Sequence, residues 1–465
     1  MTKMPKTIIM PIYNGARARS IFNTDIYGEL ISDDSLKLVI ACPSVKVDFY
    51  RENFPASNVV FEAVDLPSEH EFGRVLSRVA FNLLPTSTIR GKHKIYYHRY
   101  GNYFKFFILG IANRTLGQLP FIKNFIRFLD KFVPLNADVA ALFEKYHPDL
   151  LIAPDIVFPP DRIFMRVASR SDVYTVGMAR SWDNLTSKGV VQVMPEKLVV
   201  YTNRMVEEAI KIVGMKREDV FMAGPPQFDR YYKKSETTRE QFLKGLGISP
   251  EKRVVLAAPF FDRYTGSAVV MINGLLDAIK TGKLPKDIQI LVRYRPGTPP
   301  IAEGLLKKSE NLTITVPCEV HFDGRGRLST TEDFEWRKED VDLLMNSLRW
   351  SDVVINTVST LSVDASVYDK PVINVRFDAE PSCPPMHSVM VMLPNHDHYK
   401  AIEASGGVKL VGSMDEMISA INAYLKNPKL DAEGRERLRQ EQIVFMDGKA
   451  GHRIADFIKG ELVKF

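Results

Sequence analysis

The chain has 465 residues, of which 45% are hydrophobic and 25% are charged. A chain of this length exceeds one ordinary core and predicts two domains of about 200 residues each. The composition excludes disordered, collagen-like and low-complexity proteins. The formal net charge of +6 is a mild basic bias, which fits a phosphate-bearing ligand or an anionic membrane surface.

Cysteine usage and the N-terminus indicate the compartment. Cys42, Cys318 and Cys383 show no paired spacing and are typical of reduced intracellular thiols. The first apolar run, "TIIMPI", is too short for a signal-peptide core and fits a first strand. Elsewhere no uninterrupted apolar run approaches the roughly 20 residues needed to span a bilayer. We therefore expect a cytoplasmic protein.

The predicted elements alternate between short apolar strands and helical segments in both halves of the chain. The first half contains "TIIMPI", "LKLVIA", "NVVFEA", a long helical stretch, "DLLIAP", "VYTVGM" and "KLVVYT". After a polar linker, 229–241, the rhythm restarts with "RVVLAAPF", "IQILVRYR", "NLTITVP", "DVVINTV" and "PVINVRF". Alternation of this kind predicts parallel sheets with covering helices. The fold class is therefore α/β, with two Rossmann-like, doubly wound domains at about 1–230 and 240–440 and a central cleft.

A helical aromatic insertion is predicted at about 70–135 in the N-terminal domain. Between residues 89 and 129 the chain contains eight Lys or Arg, ten Tyr or Phe, and no Asp or Glu. One interpretation is a helical subdomain with aromatic rings in its core and solvated cations outside. The other is contact with an anionic membrane surface, peripheral to the inner face of the plasma membrane. No nucleic-acid-binding signature accompanies the segment, so no nucleic-acid partner is expected.

Strand ends in the second half carry the candidate donor-binding residues, since open parallel sheets bind ligands beyond the carboxyl ends of their strands. The strand in "DVVINTVSTLSVDAS" contains Asn356, and Ser359 and Thr360 follow where a helix begins. Their hydroxyls and the free N–H groups of a helix start suit a phosphate, and Asp364 suits ribose hydroxyls. An ordinary N-cap with an acid near the helix start explains the same residues.

A second strand end, "ILVRYRPG", contains Arg293 and Arg295. Side chains two positions apart in a strand point to the same face, so these guanidinium groups form a pair suited to a diphosphate or a carboxylate. A solvated edge strand is the alternative.

Strand ends in the first half carry the candidate catalytic and acceptor-binding residues. Asn14 and Arg17 follow the first strand, and Asp155 follows "DLLIAP". The run "ARSWDNLTSKG" after "VYTVGM" is too rich in hydrogen-bonding groups for a simple turn. It contributes Arg180, Trp182, Asp183, Asn184 and Lys188. We predict that these residues bind or activate an acceptor, although Trp182 also fits a half-buried structural role and Lys188 a solvated one.

Missing motifs narrow the chemistry. The chain has no Walker A, HExxH, GxSxG or CxxC pattern. The acids at 340 and 342 fit a helix start, and the histidines at 396 and 398 fit loop polarity, better than metal ligation. No metal site and no cofactor are therefore predicted.

Several segments resemble the GT-B glycosyltransferases of bacterial surface-polysaccharide (capsule and lipopolysaccharide) synthesis, including the CDP-glycerol glycerophosphotransferase-like group. The segment 353–375 resembles their donor-binding segment, and "FMDGKAGHRIADFI" is similar to their closing helix. The resemblance implies that 441–465 returns to the N-terminal domain. It also implies that Ser359 and Thr360 contact donor phosphates and that Asp364 contacts the ribose or sugar. No catalytic histidine motif of the glycerophosphotransferases aligns in the first half.

Together these observations predict a metal-independent glycosyltransferase that moves a sugar, or a related activated group, from a nucleotide-sugar donor to a glycan or lipid-linked acceptor. Asp183, or else Asp155, is the candidate base that accepts the proton of the acceptor hydroxyl. Two alternatives stay open: an isomerase similar to UDP-sugar 2-epimerases, and an inactive GT-B-like module that binds a glycan or assembles a complex.

Overall fold

The structure is a computed structural model. It describes residues 5–66, 69–258, 267–294, 305–315, 317, 319–320, 334–357, 359–380, 383, 388, 390 and 396–464. The chain forms two compact units. Unit 1 comprises 1–97, 102–230 and 447–465, and unit 2 comprises 98–101 and 231–446.

Unit 1 contains a seven-stranded sheet in the order β3-β2-β1-β4-β5-β6-β7. All of its strand pairs are parallel, and Ile8 of the inner strand β1 aligns with Leu38 on one side and Leu150 on the other. The strands are nearly continuous apolar runs because helices cover both faces of a parallel sheet. They are β1 (Lys6–Pro11), β2 (Leu36–Cys42), β3 (Val59–Ala63), β4 (Leu150–Ala153), β5 (Tyr174–Met178), β6 (Lys197–Val200) and β7 (Val220–Met222).

Unit 2 contains a second parallel sheet, of six strands, in the order β10-β9-β8-β13-β14-β15. A separate antiparallel pair joins β11 to β12. The strands are β8 (Arg253–Ala258), β9 (Ile288–Arg293), β10 (Leu312–Thr315), β11 (Glu319–Val320), β12 (Phe334–Glu335), β13 (Val353–Asn356), β14 (Val372–Val375) and β15 (Lys409–Val411).

Helices connect the strands of both sheets. In chain order they are α1 (Gly15–Phe22), α2 (Asp25–Ile31), α3 (Val47–Asn53), α4 (Glu71–Leu83), α5 (Ser87–Tyr100), α6 (Tyr103–Arg114), α7 (Pro120–Asp130), α8 (Ala137–Tyr146), α9 (Pro159–Arg170), α10 (Asn184–Ser187), α11 (Asn203–Glu208), α12 (Asp229–Tyr232), α13 (Arg239–Gly245), α14 (Ser267–Lys280), α15 (Lys338–Trp350), α16 (Leu361–Val367), α17 (Asp397–Ala404), α18 (Met414–Lys426), α19 (Ala432–Gln442) and α20 (Ala450–Leu462). A π-helical segment, Ala209–Val213, follows α11, and 3₁₀ turns lie at Ser44–Lys46, Leu116–Gln118, Arg217–Asp219 and Pro226–Phe228.

The terminal helix α20 belongs to the core of unit 1. Its apolar face, including Ile454 and Ile458, packs in the cluster that contains β1 and β2. The carboxylate of Asp229 accepts the N–H groups of Ala450 at 3.0 Å and Gly451 at 2.6 Å, and so caps the start of this helix. The end of the chain is thereby fixed to the same unit as its beginning.

The predicted linker is anchored at its start, whereas residues 233–241 are exposed or partly exposed. Tyr231, at its start, is only 2% exposed. Its hydroxyl donates to Asp364 at 2.6 Å, and its ring stacks on Tyr368 with centroids 5.6 Å apart. Although the segment is mostly polar in sequence, Tyr231 anchors its start by aromatic packing within unit 2.

The predicted insertion consists of the helices α4 to α7. Its own small core contains Leu76, Ala80, Ile126 and Val133. Within the described residues, no helix is both long and apolar enough to traverse a bilayer.

Candidate functional site

The first candidate site lies in unit 1 at the carboxyl ends of β1, β4 and β5. These strands are neighbours, and the strand order reverses between β1 and β4, which is the position where doubly wound sheets bind ligands. Asn14 follows β1 and caps α1, since its side-chain oxygen accepts the N–H of Arg17 at 3.1 Å. Asp155 follows β4, and Arg180 and Asn184 follow β5.

Asp155 is the centre of a network that joins residues from all three strand ends. One carboxylate oxygen accepts Arg17 at 2.7 Å and Arg180 at 3.4 Å, and the other accepts Asn184 at 2.8 Å. The side chain of Asp155 is 3% exposed and that of Arg17 is 8% exposed. The Arg17 guanidinium also lies 3.3 Å from the centroid of the Phe158 ring. The sheet topology therefore brings together four residues that were predicted from three separate segments.

A second acid, Asp161, holds the backbone of Asp155. Asp161 is fully buried, and its carboxylate accepts the backbone N–H of Asp155 at 2.8 Å. Burial raises the pKa of Asp161 well above its usual range, against the opposing effect of Arg17. Asp161 thus orients the strand end through its acceptor oxygen.

Some buried polar atoms beside the network have no hydrogen-bond partner among the described residues. They include the side-chain oxygen of Asn184 and the hydroxyl of Tyr201, which directly follows β6. A buried polar group without a partner is costly, so such atoms are suited to contact a ligand.

Asp183 lies next to the network and is the more exposed of the two candidate bases. Its carboxylate oxygens accept the hydroxyls of Ser181 and Ser187, each at 2.6 Å. Its side chain is 22% exposed, and the Lys188 ammonium lies 3.9 Å from one oxygen. Two hydroxyl donors hold the carboxylate in one orientation without neutralising it.

Trp182 packs inside unit 1. It is 7% exposed, with its ring 5.6 Å from that of Tyr201 and 5.9 Å from that of Phe228. These contacts are typical of a core residue and favour the structural interpretation of this side chain over sugar stacking.

Residues of the insertion contact the segment that follows Asp183. Thr86 donates to the carbonyl of Thr186 at 2.6 Å, and Lys92 donates to the carbonyl of Ser187 at 2.6 Å. Gly189 has φ +105°, and a Cβ there would lie 2.9 Å from the backbone of Phe81. Burial lowers the pKa of Lys92 to about 8, with Lys188 adding to the shift. The segment is therefore held by side-chain donors of Thr86 and Lys92 and by the close approach of its backbone to α4 at Gly189.

The second candidate site lies in unit 2, where the strand order reverses between β8 and β13. Asn356, which ends β13, is fully buried, and its side-chain oxygen accepts the N–H of Ser359 at 3.2 Å. The hydroxyl of Ser362 donates to Asn374 of β14 at 3.0 Å and accepts from Asn356 at 3.2 Å. This network fixes the turn between β13 and α16.

The helix start differs in detail from the prediction. Thr360 occupies the N-cap position of α16, but its side chain makes no capping bond. Instead, the hydroxyl of Ser359 accepts the N–H of Leu361 at 3.2 Å. Asp364, 8% exposed, accepts the hydroxyl of Tyr231. Asp364 therefore helps to anchor the segment that enters unit 2.

Arg293 ends β9 and is 5% exposed, with its backbone paired to β10 at Thr315. It is thus a buried cation at a strand end of the sheet, rather than part of a solvated edge. Arg295 lies outside the described residues.

Sequence reasoning missed Asp161, Tyr201, Lys92, Ser362 and Asn374. Asn374 was detectable because a polar residue inside the apolar run "PVINV" needs a partner. Tyr201 also ends an apolar run. Asp161 and Lys92 gave no local signal, because their roles depend on contacts with distant segments. In the part of the chain that the structure describes, no group of three or more His, Cys, Asp or Glu is placed to hold a metal ion.

Two parallel α/β sheets of this kind define the GT-B class of fold, as the comparisons with solved structures confirm. S. aureus MnaA with UDP aligns at TM-score 0.57 and 12% identity, over 99% of this chain and 98% of that one. UDP-GlcNAc 2-epimerase from Neisseria meningitidis, bound to UDP-GlcNAc, aligns at TM-score 0.56 and 12% identity, over 98% and 100%. A glycosyltransferase from Rickettsia africae ESF-5 aligns at TM-score 0.53 and 10% identity, over 99% of each chain.

Residues 196–460, more than half of the chain, match the family model of CDP-glycerol:poly(glycerophosphate) glycerophosphotransferases. The protein belongs to this family, and both the fold class and the group predicted from the sequence are confirmed. A search of curated proteins gives no match.

Proposed function

We propose that the protein is a transferase in surface-polysaccharide synthesis that uses a nucleotide-activated donor. It moves a sugar, or a related activated group such as glycerol phosphate, to a hydroxyl of a glycan or lipid-linked acceptor. The observation that carries the proposal is the family match over 196–460, which contains every strand of the unit 2 sheet. The family name specifies a CDP-activated donor, and two of the structural relatives contain UDP or UDP-GlcNAc.

In this proposal unit 2 binds the donor. The buried Asn356–Ser362–Asn374 network holds the β13–α16 turn rigidly, so the hydroxyls of Ser359 and Thr360 are pre-positioned for donor phosphates. Arg293 and Arg295 offset the negative charge that develops on the departing phosphate, which is a role that a metal ion fills in other transferases. The ribose contact predicted for Asp364 uses the carboxylate whose other partner is Tyr231.

Unit 1 binds and activates the acceptor in the same proposal. Asp183 is assigned as the base because it is 22% exposed, whereas the Asp155 side chain is 3% exposed and bonded through both oxygens. Asp183 accepts the proton of the acceptor hydroxyl as that oxygen attacks the donor. Asp155 then acts as a positioning residue for Arg17, Arg180 and Asn184.

The site of action follows from the donor and acceptor classes. Nucleotide-activated donors are cytoplasmic metabolites, and lipid-linked acceptors are held in a membrane. The proposal therefore includes reaction on the cytoplasmic side, with the protein peripheral to the membrane.

Epimerisation of a UDP-sugar is the second candidate, because the fold aligns with two epimerase-class structures over nearly the whole chain. The two reactions differ in their need for an acceptor. An epimerase releases a rearranged sugar without any acceptor, whereas the proposed transferase consumes the donor productively only when an acceptor is present.

Donor turnover tests the proposal. The purified protein is incubated with CDP-glycerol and with a panel of UDP- and GDP-sugars, with and without a glycan or lipid-linked acceptor preparation. Release of CMP from CDP-glycerol identifies glycerol phosphate transfer, and release of a nucleoside diphosphate from a sugar donor identifies glycosyl transfer.

A pair of variants tests the phosphate contact. The Ser359→Ala/Thr360→Ala variant is expected to lower turnover by roughly 100-fold or more, as removal of transition-state hydrogen-bond donors does. Ser366→Ala, in the helix α16 that follows these residues, is the control, because its hydroxyl donates to the carbonyl of Val363 at 2.7 Å within the same helix. Full turnover by the double variant with every donor would remove the phosphate assignment.

A further inference from the structure

The insertion does not match the interpretation in which aromatic rings form its core and cations lie in solvent. Many of its aromatic side chains are exposed, and several of its cations are bonded to the rest of unit 1. Helix α6, "YFKFFILGIANR", has a single buried residue, Asn113. Phe104 is 76% exposed and Phe107 is 66% exposed, with Ile108 and Ile111 also exposed on the same helix. Hydrophobic residues of a stable surface helix are normally concentrated on its buried face. The exposed apolar side chains of α6 therefore indicate a surface that contacts another apolar phase or partner.

Helix α7 and the residues after it present two apolar faces. One face, with Ile122, Ile126, Leu129 and Val133, packs in the insertion core. The other face carries an aromatic stripe at helical spacing: Phe121, Phe125, Phe128 and Phe132, exposed by 62%, 53%, 52% and 62%. Residues at spacings of three and four share one side of a helix, so this stripe is continuous. Within unit 1 the second face is therefore not explained by the core.

Most of the Lys and Arg side chains that the structure describes in the insertion fall into two groups. Lys92, Lys123 and Arg127 donate to backbone carbonyls, with Lys123 reaching Ile212 and Arg127 reaching Val191 and Val213. These three therefore fix the insertion to the rest of unit 1. The second group is exposed among the apolar side chains and comprises Arg74, Arg78, Lys94, Lys105, Arg114 and Lys131.

Acidic residues hardly offset the exposed cations. Between residues 71 and 132 the only acids are Glu71 and Asp130, and Asp130 is buried in an ion pair with Arg166 at 2.7 Å. The exposed surface of the insertion is thus strongly apolar and positively charged together.

We propose that α6 and the aromatic stripe of α7 form an interfacial surface that inserts into an anionic lipid bilayer. Aromatic side chains partition to the boundary between headgroups and acyl chains, and the surrounding Lys and Arg attract anionic lipid. A second copy of the chain fits this surface less well, because a two-fold interface would place the same cations against each other without acids to pair them. The proposed function already sets the protein at a membrane, and this inference deepens it by naming the surface that makes the contact; the surface is the same whichever group the enzyme transfers.

Vesicle flotation tests the proposal. The full chain is mixed at low salt with phosphatidylcholine vesicles that contain phosphatidylglycerol, and separately with pure phosphatidylcholine vesicles. The wild-type protein is expected to float with the anionic vesicles and to float less with neutral vesicles or at high salt, because screening weakens the electrostatic attraction. Equal flotation with both lipids, or none with the anionic vesicles, would overturn the proposal.

Matched variants locate the surface. Phe121→Ser/Phe125→Ser/Phe128→Ser removes exposed rings and is expected to weaken partitioning by about tenfold or more. Lys94→Glu/Lys105→Glu is expected to abolish the preference for anionic vesicles. The control, Val45→Ser/Leu305→Ser/Val463→Ser, changes side chains that are 82%, 61% and 84% exposed elsewhere, and it should float like the wild type.

Two further measurements separate the competing explanations. Light scattering of the lipid-free protein reports oligomeric state, and a dimer that the Phe→Ser variant dissociates would replace the bilayer with a second copy as the occupant. Nucleotide release from a soluble donor in the presence of a soluble glycan acceptor, measured on the same variants, should match the wild type. A variant that no longer floats but still releases nucleotide shows that the substitutions affect only the membrane surface. A wild-type protein that floats but releases no nucleotide would contradict the proposed function and leave the membrane surface supported.

Discussion

Replacement of Asp155 by alanine is expected to destabilise unit 1 strongly. The substitution leaves the guanidinium of Arg17, whose side chain is 8% exposed, without the carboxylate that it bonds at 2.7 Å. It also removes the acceptor of Asn184 at 2.8 Å. Both losses occur in a buried site at the junction of β1, β4 and β5, where water cannot replace the carboxylate easily.

The magnitude follows from the burial of the pair. Removing one partner of a buried ion pair costs about 3–5 kcal/mol, whereas an exposed pair is worth about 0–1 kcal/mol. For a unit of this size, 1 kcal/mol shifts the melting temperature by roughly 2–4 °C, so the expected decrease is about 6–20 °C. Asp48→Ala is the matched control, because Asp48 and Arg51 form an ion pair with side chains 93% and 63% exposed.

The assay is thermal and urea-induced unfolding followed by circular dichroism, with a double-mutant cycle. Adding Arg17→Met to Asp155→Ala should recover part of the lost stability, because the second change removes the uncompensated charge. If Asp155→Ala unfolds within 1 °C of Asp48→Ala, or if the two changes at positions 17 and 155 are additive, the network does not hold the strand ends together.

Three further outcomes are expected. Lys92→Met should lower both stability, by about 1–3 kcal/mol, and turnover, because α10 loses a buried charged hydrogen bond beside the candidate base. Lys94→Met, at an exposed position two residues further along the same helix, should lower neither. Burial lowers the pKa of His93 to about 4, whereas an exposed histidine has a pKa of about 6.5. As the pH falls from about 6.5 to 4, His93 therefore binds a proton in the unfolded chain but not in the folded one, and the folded protein loses stability over this interval. A His93→Gln variant should show a smaller loss over that interval in urea unfolding, and a curve parallel to the wild type would contradict this assignment. Tyr231→Phe should cost about 1–3 kcal/mol by removing the donor to Asp364, whereas Tyr103→Phe, at a 70% exposed position, should be neutral in the same unfolding assay.

The sequence predicted the sheets because buried parallel strands are conspicuous apolar runs. Each quoted run of the first half, from "TIIMPI" to "KLVVYT", corresponds to a strand or overlaps one in unit 1. The insertion was placed correctly as helical, but which of its faces is buried was not predictable. Ile122 and Phe121 are both apolar, and only the packing of α7 on α4 distinguishes the partly buried Ile122 from the exposed Phe121.

The sequence was sufficient to select the residues of the candidate site, but not to predict the hydrogen bonds and ion pairs between them. Strand-end reasoning selected Asn14, Arg17, Asp155, Arg180 and Asn184, because parallel strands deliver their following residues to one edge of the sheet. It favoured Asp183 over Asp155 only because Asp183 lies among other polar groups. The exposures of the two side chains, 22% and 3%, depend on which partners fold around each carboxylate and were not predictable. Nor could strand-end reasoning distinguish a buried Trp182 from a sugar-stacking one, because the partners of that ring lie well apart from it in the chain.

Nucleotide binding tests the central claim, that unit 2 holds an activated donor by its phosphates at the β13–α16 turn. Thermal unfolding of the wild-type protein is measured with CMP, CDP, UDP and GDP at increasing concentration, beside the variant altered at positions 359 and 360. At least one nucleotide should stabilise the wild type, by about 2.7 kcal/mol at a hundredfold excess over its Kd, and should stabilise the variant far less. A wild-type protein whose unfolding no nucleotide shifts at millimolar concentration would contradict the account.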